Sequence, residues 1–209
     1  IDIHTHLSQY DDEDLSGIVS RWRSNNVKFV VSTGTTIEDS RKSIDLSNEY
    51  YDVLSGIGLH PSDLTPEWKK DLQEIKKLSR NKISMISEIG LDYQESSPKK
   101  VEQIEAFEFQ IQIALDNNLP IVFHTRNAME DTYEILKNFN FTYEPGAIHY
   151  FDGNYDQAKN MINLGYKISF AKTLLRYDHL KEVAKKLSIK DMVIETDSYP
   201  QYFKKNREK

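Results

Sequence analysis

The sequence of 209 residues contains no cysteine. This absence excludes a scaffold held together by disulfide bonds and any zinc site built on thiolates. No apolar run approaches the roughly 20 residues that a membrane-spanning helix requires, and no secretory signal is visible. The first residue is Ile rather than Met, so we expect the native chain to begin upstream. These absences predict a cytoplasmic protein.

An excess of positive charge is missing as well. The 27 basic residues are outnumbered by 33 acidic ones, which gives a formal net charge of −6. That is the wrong sign for a protein that holds duplex DNA by bulk electrostatics. It leaves open a nucleic-acid enzyme whose local field is set by bound cations. A basic run at 204–209 is expected to be a solvated tail.

The chain also lacks a flexible linker, a low-complexity tract and any shift in composition, so residues 1–209 are predicted to form a single domain. Short apolar runs alternate instead with segments of helical spacing. The runs predict strands at 1–4, 29–32, 54–57, 85–88, 121–124, 147–149, 167–169 and 192–195. The segments between them predict helices at 13–26, 37–51, 66–80, 100–118, 128–138, 154–164 and 178–188.

This strict alternation predicts parallel strands joined by right-handed crossovers. Eight such strands favour an α/β protein with a closed (β/α)₈ TIM barrel over an open, doubly wound sheet. Typical barrels have about 250 residues, and few residues follow the last predicted strand here. We therefore expect a C-terminally incomplete barrel without its final helix, or an apolar groove between the last strand and the first.

The first predicted strand carries a metal-capable side chain at every second position. Alternate side chains of a strand share a face, so Asp2, His4 and His6 are expected to point the same way. Similar side chains follow later strands at their C-terminal ends, where (β/α)₈ enzymes hold their active sites. The candidate ligands gathered at that face are His4, His6, His60, Glu88, His124, His149 and Asp197.

Each of these residues taken singly also has a purely structural interpretation. A lone His124 or His149 is typical of a hydrogen-bonded core histidine, and a lone Asp197 of a helix N-cap. Gathered in one cavity, however, so many costly polar groups need partners, which divalent cations supply most economically. We interpret the set as a metal site. The alternative is a non-catalytic binding protein with a closed structural metal.

The number of donors predicts two ions rather than one. A catalytic ion takes about three protein ligands plus water, whereas two ions about 3.5–4 Å apart share a carboxylate and a water. Glu88 is the expected bridge, and the bridging hydroxide is the expected nucleophile. The predicted partition places His4, His6 and Asp197 on one ion, and His124 and His149 on the other.

Seven sequence blocks carry a resemblance to a known family. They are DIHTHL, GIGLHP, SEIGLDY, PIVFHTRNA, GAIHYFDG, LGYKISF and VIETDS, and together they span residues 1 to 198. In this order and spacing the chain resembles the TatD-related DNases, which are metal-dependent, amidohydrolase-like TIM-barrel hydrolases. The resemblance implies a two-metal phosphoesterase that digests single-stranded DNA from its 3′ end.

The resemblance also implies roles for individual residues. It gives the same six metal ligands, which are His4, His6, Glu88, His124, His149 and Asp197. It implies that His60 faces the substrate and that Arg126 meets a phosphate, for which its planar fork is suited. Aromatic side chains can stack on a base or sugar, and Asp92 can support a ligand or shape a turn. The residues expected to bind substrate are His60, Arg126, Tyr93 and Phe151.

In the implied mechanism, Asp197 takes the proton of the attacking water and Glu88 bridges the ions. His60 stabilises the phosphate or protonates the leaving group. The alternative is ester, amide or lactone hydrolysis on the same metals, including aminoacyl-tRNA deacylation. A carboxylate at position 88, where many relatives in the wider superfamily use a modified lysine, favours the nuclease.

Metal identity and partners follow less directly. Imidazole ligands favour Zn²⁺, Ni²⁺ or Mn²⁺, whereas the resemblance implies Mg²⁺ or Mn²⁺ in use. The expected partner is single-stranded DNA, with no membrane and no obligate protein partner. Two departures from the family pattern are expected to alter the substrate groove. Ser198, Tyr199 and Pro200 stand where Ser-Pro is common, and Asp152 stands where Ser is usual.

Overall fold

The computed structural model describes residues 1–200, so the basic run at 204–209 lies outside the described residues. Within this range, eight strands alternate with seven α-helices. The strands are β1 (Asp2–Thr5), β2 (Val30–Thr33), β3 (Val53–Ile57), β4 (Met85–Asp92), β5 (Ile121–Arg126), β6 (Gly146–Ile148), β7 (Lys167–Phe170) and β8 (Met192–Ile194). The helices are α1 (Asp12–Ser24), α2 (Ile37–Glu49), α3 (Trp68–Leu78), α4 (Lys100–Asp116), α5 (Met129–Leu136), α6 (Tyr155–Asn163) and α7 (Asp178–Lys186).

The sheet confirms the predicted α/β barrel. Its strand order is β1 to β8 without interruption, and each strand pairs in parallel with the next. The residues after β8 complete the circle. The His6 amide donates to the Ser198 carbonyl at 2.8 Å, and the Asp197 amide donates to the His4 carbonyl at 3.1 Å. This seam carries Asp197 to the histidines of β1.

Apolar side chains are exposed where β8 meets β1. Ile1 is 64% exposed and Ile194 is 66% exposed. Within residues 1–200 no α-helix follows β8, and the expectation of a missing final helix stays a prediction. The assignment of 1–209 to one incomplete domain stays a prediction. No helix within residues 1–200 is long and apolar enough to cross a membrane.

The main core lies between the barrel and its helices. The apolar spacing of α4 directs Phe107, Ile111 and Ala114 inward, and all three are fully buried. They pack in one cluster with Ile89 of β4 and Phe123 of β5. Burial of each of these phenylalanine and isoleucine side chains contributes about 1.5–3 kcal/mol. This packing holds β4 and β5, which carry the most heavily charged part of the site.

The boundaries of several elements differ from the sequence prediction. The predicted ends of α1, α4 and α6 lie one or two residues too late, because each helix stops before a residue of positive φ. These residues are Asn26 (φ 61°), Asn118 (φ 54°) and Gly165 (φ 94°). The strands β4 and β5 run past their predicted ends to Asp92 and Arg126.

A glycine permits the close approach of these two longer strands. Gly90 of β4 has φ 131°, and a Cβ atom at this position would lie 2.0 Å from the His124 carbonyl oxygen of β5. Such a conformation is open to glycine alone. Glu88 therefore lies inside β4 rather than at its end, at an irregularity in register between Ile86 and Ile89.

Candidate metal centre

The C-terminal face of the barrel brings the predicted ligands together. His4 lies in β1 and His6 directly follows it, while His149 directly follows β6. All six proposed ligands, His4, His6, Glu88, His124, His149 and Asp197, are buried or nearly so. Residues from five different strands or their ends thus share one small volume.

One oxygen of Glu88 faces the ligands from β1. Its Oε2 lies 3.4 Å from His4 Nε2 and 3.8 Å from His6 Nε2. His6 Nε2 also lies 3.2 Å from Asp197 Oδ1. Asp197 has φ 49°, a left-handed conformation that turns its carboxylate back toward β1. These contacts form the first half of the centre.

The other oxygen of Glu88 faces three imidazoles from later strands. Its Oε1 lies 3.3 Å from His124 Nδ1 and 3.4 Å from both His149 Nε2 and His60 Nε2. The Glu88 side chain is only 5% exposed, so water does not screen these contacts. The carboxylate therefore divides the site, with a different set of nitrogens at each oxygen.

The predicted partition groups His149 with His124, but its ring lies closer to His4 of the first half. Its ring stacks on that of His4 with centroids 3.8 Å apart, whereas the centroid of His124 is 6.1 Å away. Strands β6 and β1 are not neighbours in the sheet, so the two rings meet inside the barrel rather than along a shared strand edge. His149 accordingly stands between the two halves.

Some buried histidine nitrogens of the site lack a hydrogen-bond partner, and a cation fits them. His4 Nδ1 and His6 Nδ1 are buried without a hydrogen-bond partner among the described residues. Unpaired buried nitrogens are costly, and a metal ion removes that cost. Three groups have ligand atoms within 4.8 Å of one another. These are His4–His6–Glu88, His4–His149–Asp197 and His60–Glu88–His124.

The charge of the site also favours cations. Burial opposes protonation of His4, but the negative charges of Glu88, Glu195 and Asp197 outweigh it and raise the pKa of His4 to about 9. Burial likewise opposes ionisation of Glu88, yet the surrounding imidazoles hold its pKa well below the ordinary value. In the absence of metal, the carboxylates of the site therefore favour the protonated form of His4. A divalent cation brings more positive charge to the same carboxylates than a proton does.

His60 is a hydrogen-bond donor in this arrangement. Its Nδ1 accepts the Ser62 amide proton at 3.1 Å, so Nε2 is the nitrogen that carries the proton of the neutral ring. Burial lowers the pKa of His60, which favours that neutral form. A protonated Nε2 pointing at Glu88 is suited to an oxygen acceptor and not to a metal ion. That His60 faces substrate stays a prediction.

Asp92 and Arg126 lie at the outer edge of the second half. Asp92 Oδ2 is 3.1 Å from His124 Nε2, which orients the ring, and Oδ1 accepts the Gln94 amide at 3.2 Å. Asp92 thus both contacts the proposed ligand His124 and shapes its turn. Burial raises the pKa of Asp92, but His124 and Arg126 outweigh it and bring the pKa to about 2. Arg126 is half exposed, with its Nε 3.7 Å from Asp92.

The two aromatic side chains predicted to stack on substrate are placed differently. Phe151 is 1% exposed and packs against Phe170 in the core, so the prediction that it stacks on a base is wrong. The residue before it, Tyr150, has a left-handed backbone conformation with φ 48°. Tyr93 is half-buried and donates its hydroxyl proton to Asp131, with Lys100 over its ring. Its stacking role stays a prediction.

Sequence reasoning missed Glu195, which supports His149 from behind. The two side chains are in close contact, with His149 Nδ1 2.8 Å from Glu195 Oε1. Glu195 also accepts the Tyr150 amide at 2.9 Å and the Ser169 hydroxyl at 2.6 Å. Its place in VIETDS, two residues before Asp197, was the available signal. Such a carboxylate fixes the ring orientation of a metal-binding histidine and leaves its other nitrogen for the ion.

Asp2 does not join the centre despite its place in the alternation. Both its oxygens bind Thr196, accepting the amide at 3.1 Å and the hydroxyl at 2.6 Å. Its Oδ1 also lies 3.3 Å from the His4 amide. Asp2 therefore closes the seam between β8 and β1, which positions Asp197 indirectly.

Comparison with known proteins decides the family. The sequence profile described as TatD related DNase matches residues 1–209. The chain belongs to the TatD-related DNase family. The metal-dependent hydrolase YabD of Bacillus subtilis, whose name states that it is uncharacterized, is 34% identical over 202 residues, covering 94% of this chain and 78% of YabD. TATDN3 of Mus musculus, named as a deoxyribonuclease candidate, is 30% identical and matches 95% of this chain and 72% of its own length.

Solved structures agree with this assignment. The TatD homologue YJJV of Escherichia coli superposes with a TM-score of 0.86 at 24% identity, covering 94% of this chain and 78% of YJJV, which shows the fold. A TatD-family hydrolase of Entamoeba histolytica gives a TM-score of 0.83 at 26% identity, over 94% of this chain and 72% of that one. This TatD-family chain is accordingly a metal-dependent hydrolase with a TIM-barrel fold.

Proposed function

We propose that this chain is a deoxyribonuclease that removes nucleotides from the 3′ end of single-stranded DNA and requires two divalent metal ions. The observation that carries the proposal is the position of Glu88, whose two oxygens face separate sets of nitrogens. One carboxylate between two ligand sets is what a two-ion phosphodiesterase needs. The family description and the name of TATDN3 support DNA as the substrate.

The ions would be held by His4, His6, Glu88, His124, His149 and Asp197. When bound, they supply Lewis-acid polarisation of the phosphate and lower the pKa of water. Asp197, 18% exposed at the mouth of the site, accepts the proton of the attacking water. His60 donates its Nε2 proton to a phosphate oxygen or to the leaving oxygen. Arg126 offers its exposed N–H groups to a neighbouring phosphate.

A direct assay tests this proposal. Metal-stripped protein is supplied in turn with Mg²⁺, Mn²⁺, Zn²⁺ and Ni²⁺ and given a 3′-labelled or 5′-labelled single strand. We expect successive release from the 3′ end, with Mg²⁺ or Mn²⁺ as the most effective ion and no release in the presence of a chelator. An RNA strand of the same sequence, a D-aminoacyl-tRNA and an aryl ester are assayed in parallel. Faster turnover of either of the last two would replace the nuclease with an ester hydrolase.

Exchange of Glu195 for glutamine tests how the site holds its metal. The variant Glu195→Gln keeps the shape of the side chain. It replaces one of the two carboxylate oxygens, which accept hydrogen bonds from the Tyr150 amide and the Ser169 hydroxyl, with an NH₂ group that can only donate. We expect metal affinity to fall by about 10- to 100-fold, because His149 loses the carboxylate that orients it. Calorimetric titration of the metal-stripped protein measures this change.

The matched control is Glu182→Gln on α7, whose exposed carboxylate pairs only with Lys185 among the residues described. Its metal affinity should equal that of the parent. Equal affinity in Glu195→Gln as well would show that the carboxylate does not position His149.

A cytoplasmic location and the absence of a membrane or obligate protein partner stay predictions of the sequence.

A further inference from the structure

Two tyrosines and a lysine lie together beside the metal centre. Lys172 Nζ lies 5.8 Å from the ring centroid of Tyr150 and 5.4 Å from that of Tyr199. One ammonium therefore lies against both rings, which are half-buried, and Lys172 itself is exposed. We refer to Tyr150, Tyr199 and Lys172 as the tyrosine cluster. Cation–π contacts of this kind are attractive at exposed positions as well as at buried ones.

The tyrosine cluster borders two histidines of the centre. The ring of Tyr150 is 5.6 Å from that of His149, and the ring of Tyr199 is 6.5 Å from that of His6. Both imidazoles belong to the proposed ligands. The two tyrosines thus lie within one ring contact of groups that would hold a phosphate at the centre.

The backbone holds the two tyrosines in place. Tyr150 has φ 48°, and its amide donates to the buried Glu195 at 2.9 Å. Tyr199 follows Ser198, whose carbonyl accepts the His6 amide and whose hydroxyl lies 2.9 Å from the Tyr10 hydroxyl. Rings that are fixed before binding lose little conformational entropy when a ligand stacks on them.

The chemistry of the tyrosine cluster matches an unpaired nucleotide. Sites for single strands combine aromatic faces, which stack on any base, with positive charge that follows the backbone. Lys172 supplies such a charge from a short 3-10 helix, and the exposed Arg176 directly follows that helix. In a chain with a net charge of −6, local positive charge at the mouth of the site is needed to admit a polyanion.

We propose that Tyr150 and Tyr199 form a stacking site for the nucleobase next to the phosphate that is cleaved, with Lys172 contacting the strand's backbone. The proposal rests on the proposed nuclease function and extends it. It assigns to Tyr150 the role that Phe151 cannot fill, and it gives the extra residue between Ser198 and Pro200 a task in substrate binding. The ligand is an unpaired base of any sequence.

Substrates without bases test the stacking site. The variants Tyr150→Leu and Tyr199→Leu are compared with the parent on a single strand and on the same strand with its two 3′-terminal nucleotides made abasic. On the strand that carries bases we expect KM to rise by about tenfold in each variant. On the abasic strand the penalty should shrink to less than about twofold, because no base is left to stack. Tyr150→Phe should retain the parental KM, since it keeps the aromatic face.

A binding measurement supplies a second readout. A strand with 2-aminopurine at its 3′ end loses fluorescence when that base stacks, measured before product forms. We expect quenching by the parent and by Tyr150→Phe, and a loss of quenching in Tyr150→Leu. Tyr51→Leu is the control, because Tyr51 is 80% exposed just before β3, at the opposite end of the barrel. Circular dichroism shows that each variant folds.

The outcomes separate the two proposals. If the parent digests DNA and Tyr150→Leu has an equal penalty on both strands, or none, the stacking site is wrong and the nuclease stands. If the parent quenches 2-aminopurine but releases no nucleotide with any ion, the nuclease is wrong.

Discussion

The variant Glu88→Ala is expected to lose at least about a thousandfold in kcat on single-stranded DNA while keeping its barrel. Glu88 is the residue whose oxygens face both halves of the centre, so its removal weakens the binding of both proposed ions. Catalytic groups that act as a unit fail together, which makes the loss larger than that of one contact. The main core packs around other side chains, so the fold should persist.

Three measurements check this expectation. Turnover of a labelled oligonucleotide gives kcat, calorimetry gives metal binding, and circular dichroism gives the helical content. The control is Glu74→Ala on α3, whose carboxylate contacts only Lys77 and Arg41 among the described residues. Digestion by Glu88→Ala at the parental rate would refute the assignment of the centre. Loss of structure in circular dichroism would refute the expectation that the barrel survives.

The variant Asp52→Ala is expected to have the largest effect on stability. Asp52 directly precedes β3 and is 1% exposed. It accepts two hydrogen bonds from Arg23 at 2.7 Å and one from Trp22 at 3.1 Å. Truncation leaves the Trp22 N–H buried without a partner, while the half-exposed Arg23 can turn to water. We expect the free energy of unfolding to fall by about 2–3 kcal/mol, and Tm to fall by roughly 5–10 °C.

The same pair gives a pH dependence with a defined sign. The hydrogen bond from Arg23 outweighs burial and lowers the pKa of Asp52 to about 2, from 3.8. A lowered pKa in the folded state contributes stability above the unfolded pKa and loses it as pH falls toward the folded one. The stability difference between the parent and Asp52→Asn should therefore shrink as pH falls from 4 to about 2.

Chemical denaturation at a series of pH values measures both effects. The control is Asp178→Ala at the start of α7, whose exposed carboxylate pairs only with Lys181 among the residues described, and it should change stability by less than about 0.5 kcal/mol. A difference between parent and Asp52→Asn that is constant over this pH range would show that the ion pair is not the source of the stabilisation.

The alternation of apolar runs with segments of helical spacing was sufficient to predict the barrel architecture. Strands buried by neighbouring helices read as apolar runs, and the helices between them read as a 3.6-residue period. The ends of the helices could be predicted less well from the sequence. The stop at Asn118, for example, depends on a left-handed conformation that asparagine adopts in some contexts and not in others. The length of β4 depends on Gly90, whose freedom matters only because β5 lies so close.

The candidate ligands could be located from the sequence, since each lies at or shortly after the C-terminal end of a predicted strand and parallel strands present these ends on one face. The relation among them could not. The stacking of His149 on His4 depends on the diameter of the closed barrel. The support from Glu195 depends on the residue after β8 lying close enough to reach the residue after β6.

Taken by itself, the sequence determined the barrel, the face on which its polar side chains gather and the family to which it belongs, because periodicity and order along the chain encode them. Only the tertiary structure decided that Glu88 stands between two sets of nitrogens, that His60 presents a proton, and that Tyr150 rather than Phe151 borders the site. Those facts depend on side-chain directions and on distances across the barrel, which arise only when strands far apart in sequence close into a ring.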